Sequence, residues 1–186
     1  MIPDNDFITN KDVPGPTKEE IRCLVICKSD VAKNDIVVDV GCGTGGLTVE
    51  FAKRAKKVYA IDQNIKAINT TEENLKKHNL EEKVELMHID ALEAFKNIAK
   101  IDILMIGGSG GNLTSIIEEG HKKISSNGKI IVTSILVETP PEAIKIMNKL
   151  NMKLNVVNVS ISKGKLIERG TMMLANNPIT IIVGKK

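Results

Sequence analysis

Four stretches of this chain combine acids and glycines at spacings that suit ligand chemistry. The first is Val37-Val38-Asp39-Val40-Gly41-Cys42-Gly43-Thr44-Gly45-Gly46, an apolar strand running into a glycine-rich turn. Gly41, Gly43 and Gly45 let the backbone turn tightly and pass close to a ligand with no side chain between. The others are Asp62 and Asp90, each ending an apolar run, and the cluster Gly107-Gly108-Ser109-Gly110-Gly111. Gly41, Gly43 and Gly46 satisfy G-x-G-x-x-G, and Asp62 lies at the distance of a ribose-binding acid, so a nicotinamide dinucleotide is one reading. Asp39 points elsewhere: a carboxylate beside the turn repels a pyrophosphate and suits a ligand carrying ammonium and sulfonium charge. Asp90 fits an adenine amino group as its acceptor.

These residues need a frame that gathers them. Residues 1–16 hold three prolines and several Asp and Asn, and read as an extended arm lying over the glycine turn. Thr17 and Glu20 have the spacing of a capping box for a helix reaching Ser29. Strands are predicted at 36–40, 57–61, 84–89, 101–106 and 129–136, with a turn at 126–128 before the last. Helices are predicted at 47–56, 64–78, 91–95, 112–124 and from Pro140 to Leu150. Residues 153–162 and 179–183 read as strands with no helix between them, and so pair antiparallel. The expected fold is α/β: a Rossmann-like, doubly wound, seven-stranded sheet, mostly parallel, with an antiparallel C-terminal hairpin, forming one domain over 1–186. Ligands of such sheets bind at the carboxyl ends of the strands, and all four stretches fall there.

Composition narrows the partners. With 186 residues, 42% hydrophobic and 26% charged, the chain reads as an ordinary globular protein. No apolar run approaches a membrane span and the first residues lack a signal-peptide core, which makes the cytoplasm the expected location. A net charge of +3 suits anionic ligands but is small for a nucleic-acid binder, and 2% aromatics leave few faces for stacking bases. Three cysteines argue against a disulfide framework, and Cys23 and Cys27, one helical turn apart, are expected in the core. No cluster of His, Cys and carboxylates suggests a bound metal. His78 and His121 read as residues of wet helix faces. His88 shares a side with Asp90 yet is expected to pack or cap, so no catalytic base is assigned.

The pattern of Asp39, Gly41-Cys42-Gly43-Thr44-Gly45, Asp62 and Asp90 resembles the class I S-adenosylmethionine-dependent methyltransferases. That resemblance implies S-adenosylmethionine as cofactor, with Asp62 on the ribose, Asp90 and the Ala91 backbone on the adenine, and the glycine turn on the methionine part. Amine methyltransferases of the class place Asn or Asp, Pro-Pro and an aromatic where this chain has its second glycine cluster, whose backbone N–H groups suit carboxylates instead. The stretches Val13-Pro14-Gly15-Pro16-Thr17, Gly107 to Gly111 and Arg169-Gly170-Thr171-Met172-Met173 resemble one family over essentially the whole chain: the cobalt-precorrin-6B C(15)-methyltransferases (decarboxylating) of cobalamin biosynthesis. The resemblance implies methylation of carbon 15 of a cobalt-containing tetrapyrrole with loss of carbon dioxide from the carbon 12 acetate. It also implies a cofactor contact at Thr17, substrate contacts at Gly107, Gly108, Ser109, Gly110 and Arg169, and a homotetramer. Arg22, Lys163, Lys165 and Arg169 are candidate partners for the acceptor's carboxylates. A tRNA methyltransferase of the same fold and an NAD-binding oxidoreductase remain alternatives at this point.

Overall fold

A computed structural model describes residues 1–186. Strands β1 (Ile36–Val40), β2 (Lys57–Asp62), β3 (Val84–His88), β4 (Ile101–Ile106) and β5 (Ile124–Ser134) are parallel to one another. β6 (Lys153–Val159) and β9 (Ile179–Lys185) join them in the order β3-β2-β1-β4-β5-β9-β6, with β9 antiparallel to both of its neighbours. β1 and β4 are apolar along nearly their whole length because both faces of a central parallel strand are covered. Successive residues alternate faces: Val37 packs with Ile103 and Ile131 on one side, Val38 with Leu104 and Ile130 on the other.

Helices cover each face. α1 (Glu19–Ser29) and α2 (Gly46–Ala52) place Ile21, Val25, Leu47 and Phe51 on the Val37 side. α4 (Ala91–Lys96), α5 (Leu113–Lys123) and α6 (Thr139–Lys149) place Phe95, Ile116 and Met147 on the Val38 side. α3 (Ile65–Lys77) packs Ile68 against Cys42 and Ala60, and Leu75 against Val49. Its ends follow local chemistry: the Asn64 side chain caps the Lys66 N–H, and Asn79 turns the chain out at φ 56°. Because β1 is flanked by β2 and β4, with chain running outward on both sides, the strand order reverses there and a crevice opens above the carboxyl ends.

Several expectations need correction. The Thr17 capping box does not form: the helix starts at Glu19 after an uncapped Lys18, and the Glu20 carboxylate instead takes Lys163 at 2.7 Å. The turn expected at 126–128 is strand, because β5 continues through it with a register shift against β4. α2 ends at Ala52, four residues early. Cys23 and Cys27 are exposed, since Ile21, Val25 and Ser29 take the buried stripe of α1. The arm carries a 3-10 turn at Asp4–Asp6 and is packed down through Ile2, Phe7 and Val13. Between β6 and β9 lies an unforeseen hairpin, β7 (Ser162–Ile167) and β8 (Gly170–Ala175), a separate two-stranded sheet exposed along its whole length. No helix is long and apolar enough to cross a membrane.

Candidate functional site

The glycine turn after β1 is pinned to its neighbours by backbone hydrogen bonds. The N–H groups of Gly41 and Cys42 both donate to the Ile61 carbonyl, and Gly107 N–H donates to that of Val40 at 2.9 Å. Gly41 has φ 72°, and a Cβ there would stand 2.6 Å from the Gly108 nitrogen. The first glycine therefore lets the two glycine clusters meet backbone to backbone. Gly43, at φ 59°, has nothing within 4 Å of its missing Cβ and faces the open cleft, whereas Gly45 backs onto Thr71 and lies outside the cleft wall.

The cleft above this turn has a volume of about 550 Å³, and its charged lining residues are Asp39, Asp62 and Asp90, with no lysine or arginine. Asp39 is buried and its one hydrogen-bond partner is Thr48, whose hydroxyl donates at 2.6 Å. Burial pushes its pKa up to about 6 against the opposing Thr48 bond, and the nearby Asp62 charge adds to the rise. Asp62 takes the N–H groups of Gly43 at 3.0 Å and Asn64 at 2.9 Å, which fixes its carboxylate at the mouth of the turn. Asp90 caps α4 by accepting Leu92 N–H at 2.8 Å and also accepts Gln63 Nε2 at 2.7 Å. A carboxylate has about four lone-pair sites, so both acids keep capacity for a ligand.

Thr44 contributes a buried hydroxyl with no partner, and Pro14, Gly15 and Thr17 close the cleft from the arm side. Cys42 is not a nucleophile, because burial pushes its thiol pKa far up. Ala91 forms part of the wall beyond Asp90. An uncompensated buried carboxylate, an orphaned hydroxyl and a cation-free wall fit a positively charged nucleoside and disfavour a pyrophosphate. The residues expected to hold S-adenosylmethionine thus line one cavity, apart from Gly45, which shapes it from behind.

Gly107, Gly108, Ser109 and Gly110 form the opposite wall and continue into an adjoining cavity of about 220 Å³. Thr133 borders both spaces, and Leu136 and Thr139 line the second. The expected basic partners are elsewhere. Arg169 lies exposed between β7 and β8 and lines neither cavity. Arg22 is fully buried, donating to Asp4 at 2.8 Å and to the carbonyls of Ile2 and Thr17, with its guanidinium 4.7 Å from the Phe7 ring centre. Lys163 pairs with Glu20 and Asp4, and its hydrogen bond holds the Glu20 carboxyl below its usual range. His88 meets the Gln63 carbonyl at 3.0 Å on an exposed edge, and His78 leans on Phe7 rather than on solvent.

Sequence reasoning missed Gln63, Ile89 and Thr133 as lining residues. Gln63 and Ile89 each adjoin a strand-end acid, which was the available signal. Thr133 had none, because its strand was expected to run three residues further.

Comparison with known proteins places this chain in a family. Residues 11–186 match the family described as precorrin methyltransferase domain. A probable cobalt-precorrin-6B C(15)-methyltransferase (decarboxylating) of Methanobrevibacter smithii is 52% identical over 186 residues, covering all of both chains. One of the same description from Methanothermobacter thermautotrophicus is 50% identical over 98% of this chain and 95% of its own. The crystal structure of precorrin 8W decarboxylase from Methanobacterium thermoautotrophicum superposes with a TM-score of 0.97 at 49% identity, covering 99% of each chain. The chain therefore belongs to the precorrin methyltransferase family.

Proposed function

We propose that this chain methylates carbon 15 of a cobalt-precorrin and removes carbon dioxide from the carbon 12 acetate, using S-adenosylmethionine, in cobalamin biosynthesis. The observation that carries the cofactor half is the cleft lined by Asp39, Asp62 and Asp90 with no opposing cation. The acceptor half rests on relatives about half identical over essentially their full length. S-adenosylmethionine supplies an electrophilic methyl on a cationic sulfur. Asp62 holds the ribose hydroxyls, Asp90 and the Ala91 backbone the adenine, and Asp39, Thr44 and the 41–45 turn the charged methionine end. Thr17 and Pro14 close over it and exclude water.

The tetrapyrrole lies over the Gly107–Gly110 wall, with the second cavity and the exposed Ile135, Leu136 and Val137 beneath its apolar surface. Ser109 and the backbone N–H groups beside it face its carboxylates. No histidine lines the cleft and Cys42 stays protonated, so the acceptor's electron-rich ring carbon serves as nucleophile without a protein base. Loss of carbon dioxide leaves its electron pair in the conjugated ring. The cobalt belongs to the substrate. The whole chain acts as one catalytic unit in the cytoplasm. It assembles as a homotetramer, with the apolar side chains of β7 and β8, Leu166 and Met173 among them, covered by other copies. Arg169, at the tip of that hairpin, would reach substrate only from a neighbouring copy.

Incubation with S-adenosylmethionine and cobalt-precorrin-6B, followed by mass measurement, tests the reaction. The expected product gains a methyl group and loses carbon dioxide; a product showing neither change would refute it. Calorimetry with S-adenosylhomocysteine and with NADH separates this reading from an oxidoreductase, which binds only the second. Light scattering tests the tetramer.

A further inference from the structure

Asn74 is a fully buried polar residue in α3, and its carboxamide uses both of its N–H donors and one of its oxygen's lone pairs. Its oxygen accepts the Ile8 N–H at 2.7 Å, which fixes which end is oxygen. Its nitrogen donates to the Ile8 carbonyl at 2.9 Å and to the Thr44 carbonyl at 2.9 Å. The first two bonds treat the arm as a strand partner would. The third reaches the glycine turn.

No other side chain makes this connection. Thr71, one helical turn earlier, donates to the Gly43 carbonyl at 2.9 Å but does not touch the arm. Glu50 accepts the Ile2 N–H at 2.7 Å and Arg22 takes Asp4, Ile2 and Thr17, yet neither bonds to residues 41–45. If the arm lifts, a buried oxygen and one N–H of Asn74 lose their partners, and a buried unsatisfied group is costly. Water entering in its place can partner those groups but does not hold the carboxamide in one rotamer, so its bond to the Thr44 carbonyl is no longer braced. If the turn is misplaced, the same side chain is drawn off Ile8.

We propose that Asn74 is a positioning residue that links docking of the N-terminal arm to the shape of the glycine turn, so that arm closure and cofactor binding reinforce each other. The linkage rests on the reading of the cleft as an S-adenosylmethionine site. It makes the arm more than a passive cover: a bound ligand that holds the Thr44 segment also tightens Ile8, nearly forty residues away in sequence, and each event favours the other by the same factor.

Hydrogen exchange on the full-length wild-type protein, with and without S-adenosylhomocysteine, reads the linkage directly. The Ile8 amide is expected to slow about tenfold on ligand addition. An unchanged Ile8 amide in the presence of bound ligand would overturn the proposal. Asn74→Asp keeps the acceptor for Ile8 but loses both donations. It should bind S-adenosylhomocysteine at least tenfold more weakly and lose the ligand effect on Ile8, with the acceptor KM at saturating cofactor unchanged. Wild-type affinity in that variant would also overturn it. Thr71→Val provides the contrast: it loosens the turn and weakens binding while Ile8 still responds to ligand. If the wild type binds no S-adenosylhomocysteine, the functional reading fails separately. Ligand-free exchange still decides the linkage, since Ile8 and Gly45 should both exchange faster in Asn74→Asp, and a Gly45 amide as slow as wild type would sink it.

Discussion

One rim of the sheet carries two unlike halves. Above β1, β2 and β3 stand three carboxylates, Asp39, Asp62 and Asp90, each held by hydrogen bonds from its own surroundings. Above β4 and β5 neither cavity has a charged lining residue; backbone, hydroxyls and exposed aliphatic side chains take that place. The difference teaches that a shared crevice can sort its two reactants by charge. A cationic donor is drawn to the acidic half. On the proposed function, a broad, conjugated acceptor carrying carboxylates would be repelled from it and would settle on the neutral half.

The largest effect should come from joining the halves badly. Gly41→Ala forces a Cβ into Gly108 at a positive φ, and is expected to cost about 3 kcal/mol of stability and to weaken both ligands together. Thermal unfolding and both titrations check this. Asp62→Ala should act on the acidic half alone, weakening S-adenosylhomocysteine by about 2 kcal/mol in calorimetry while acceptor binding is kept. An equal loss on both ligands would break the division of the rim.

Asp39 gives a pH test. With its pKa raised to about 6, it must lose a proton to receive an ammonium, so cofactor affinity falls as pH drops through 6, by about tenfold between pH 7 and 5. The sign for stability is opposite. The ligand-free folded state holds this proton more tightly than the unfolded chain, so the group's contribution declines as pH rises from about 4 to 6 and stays low above that. Asp39→Asn should therefore abolish the pH dependence of binding while raising the ligand-free Tm at pH 7 by about 5 °C. The smallest effect is expected at the neutral half. Leu136→Ser should raise the acceptor KM about fivefold, near 1 kcal/mol, and leave S-adenosylhomocysteine binding unchanged.

The acidic half was legible in sequence because Asp62 and Asp90 each end an apolar run and Asp39 stands two residues before the glycine turn, where a buried strand must give way to a polar turn. Gly41 was legible as a glycine, but its reason was not: the contact with Gly108 joins segments more than sixty residues apart. The hairpin of β7 and β8 escaped for the opposite reason. Neither of its faces is buried within the chain, so Lys163, Leu166 and Met173 show no alternation between wet and dry. Cys23 and Cys27 were misplaced because a small side chain weighs little in a helical stripe, and Ile21 and Val25 set the rotation of α1. Arg22 is the sharpest case. An arginine near a binding site reads as a ligand partner until one sees that Asp4 and two carbonyls already enclose it.

The position of β9 also bears on how the molecule is made. β6 precedes it in the chain yet bonds to nothing else in the sheet, and β5 has no second neighbour without it. Until β9 threads between them, the polypeptide presents two open sheet edges at once, each able to capture another nascent copy. Synthesis arrested before residue 179 should therefore yield aggregates rather than a smaller soluble enzyme, although every residue lining the cofactor cleft would already be present.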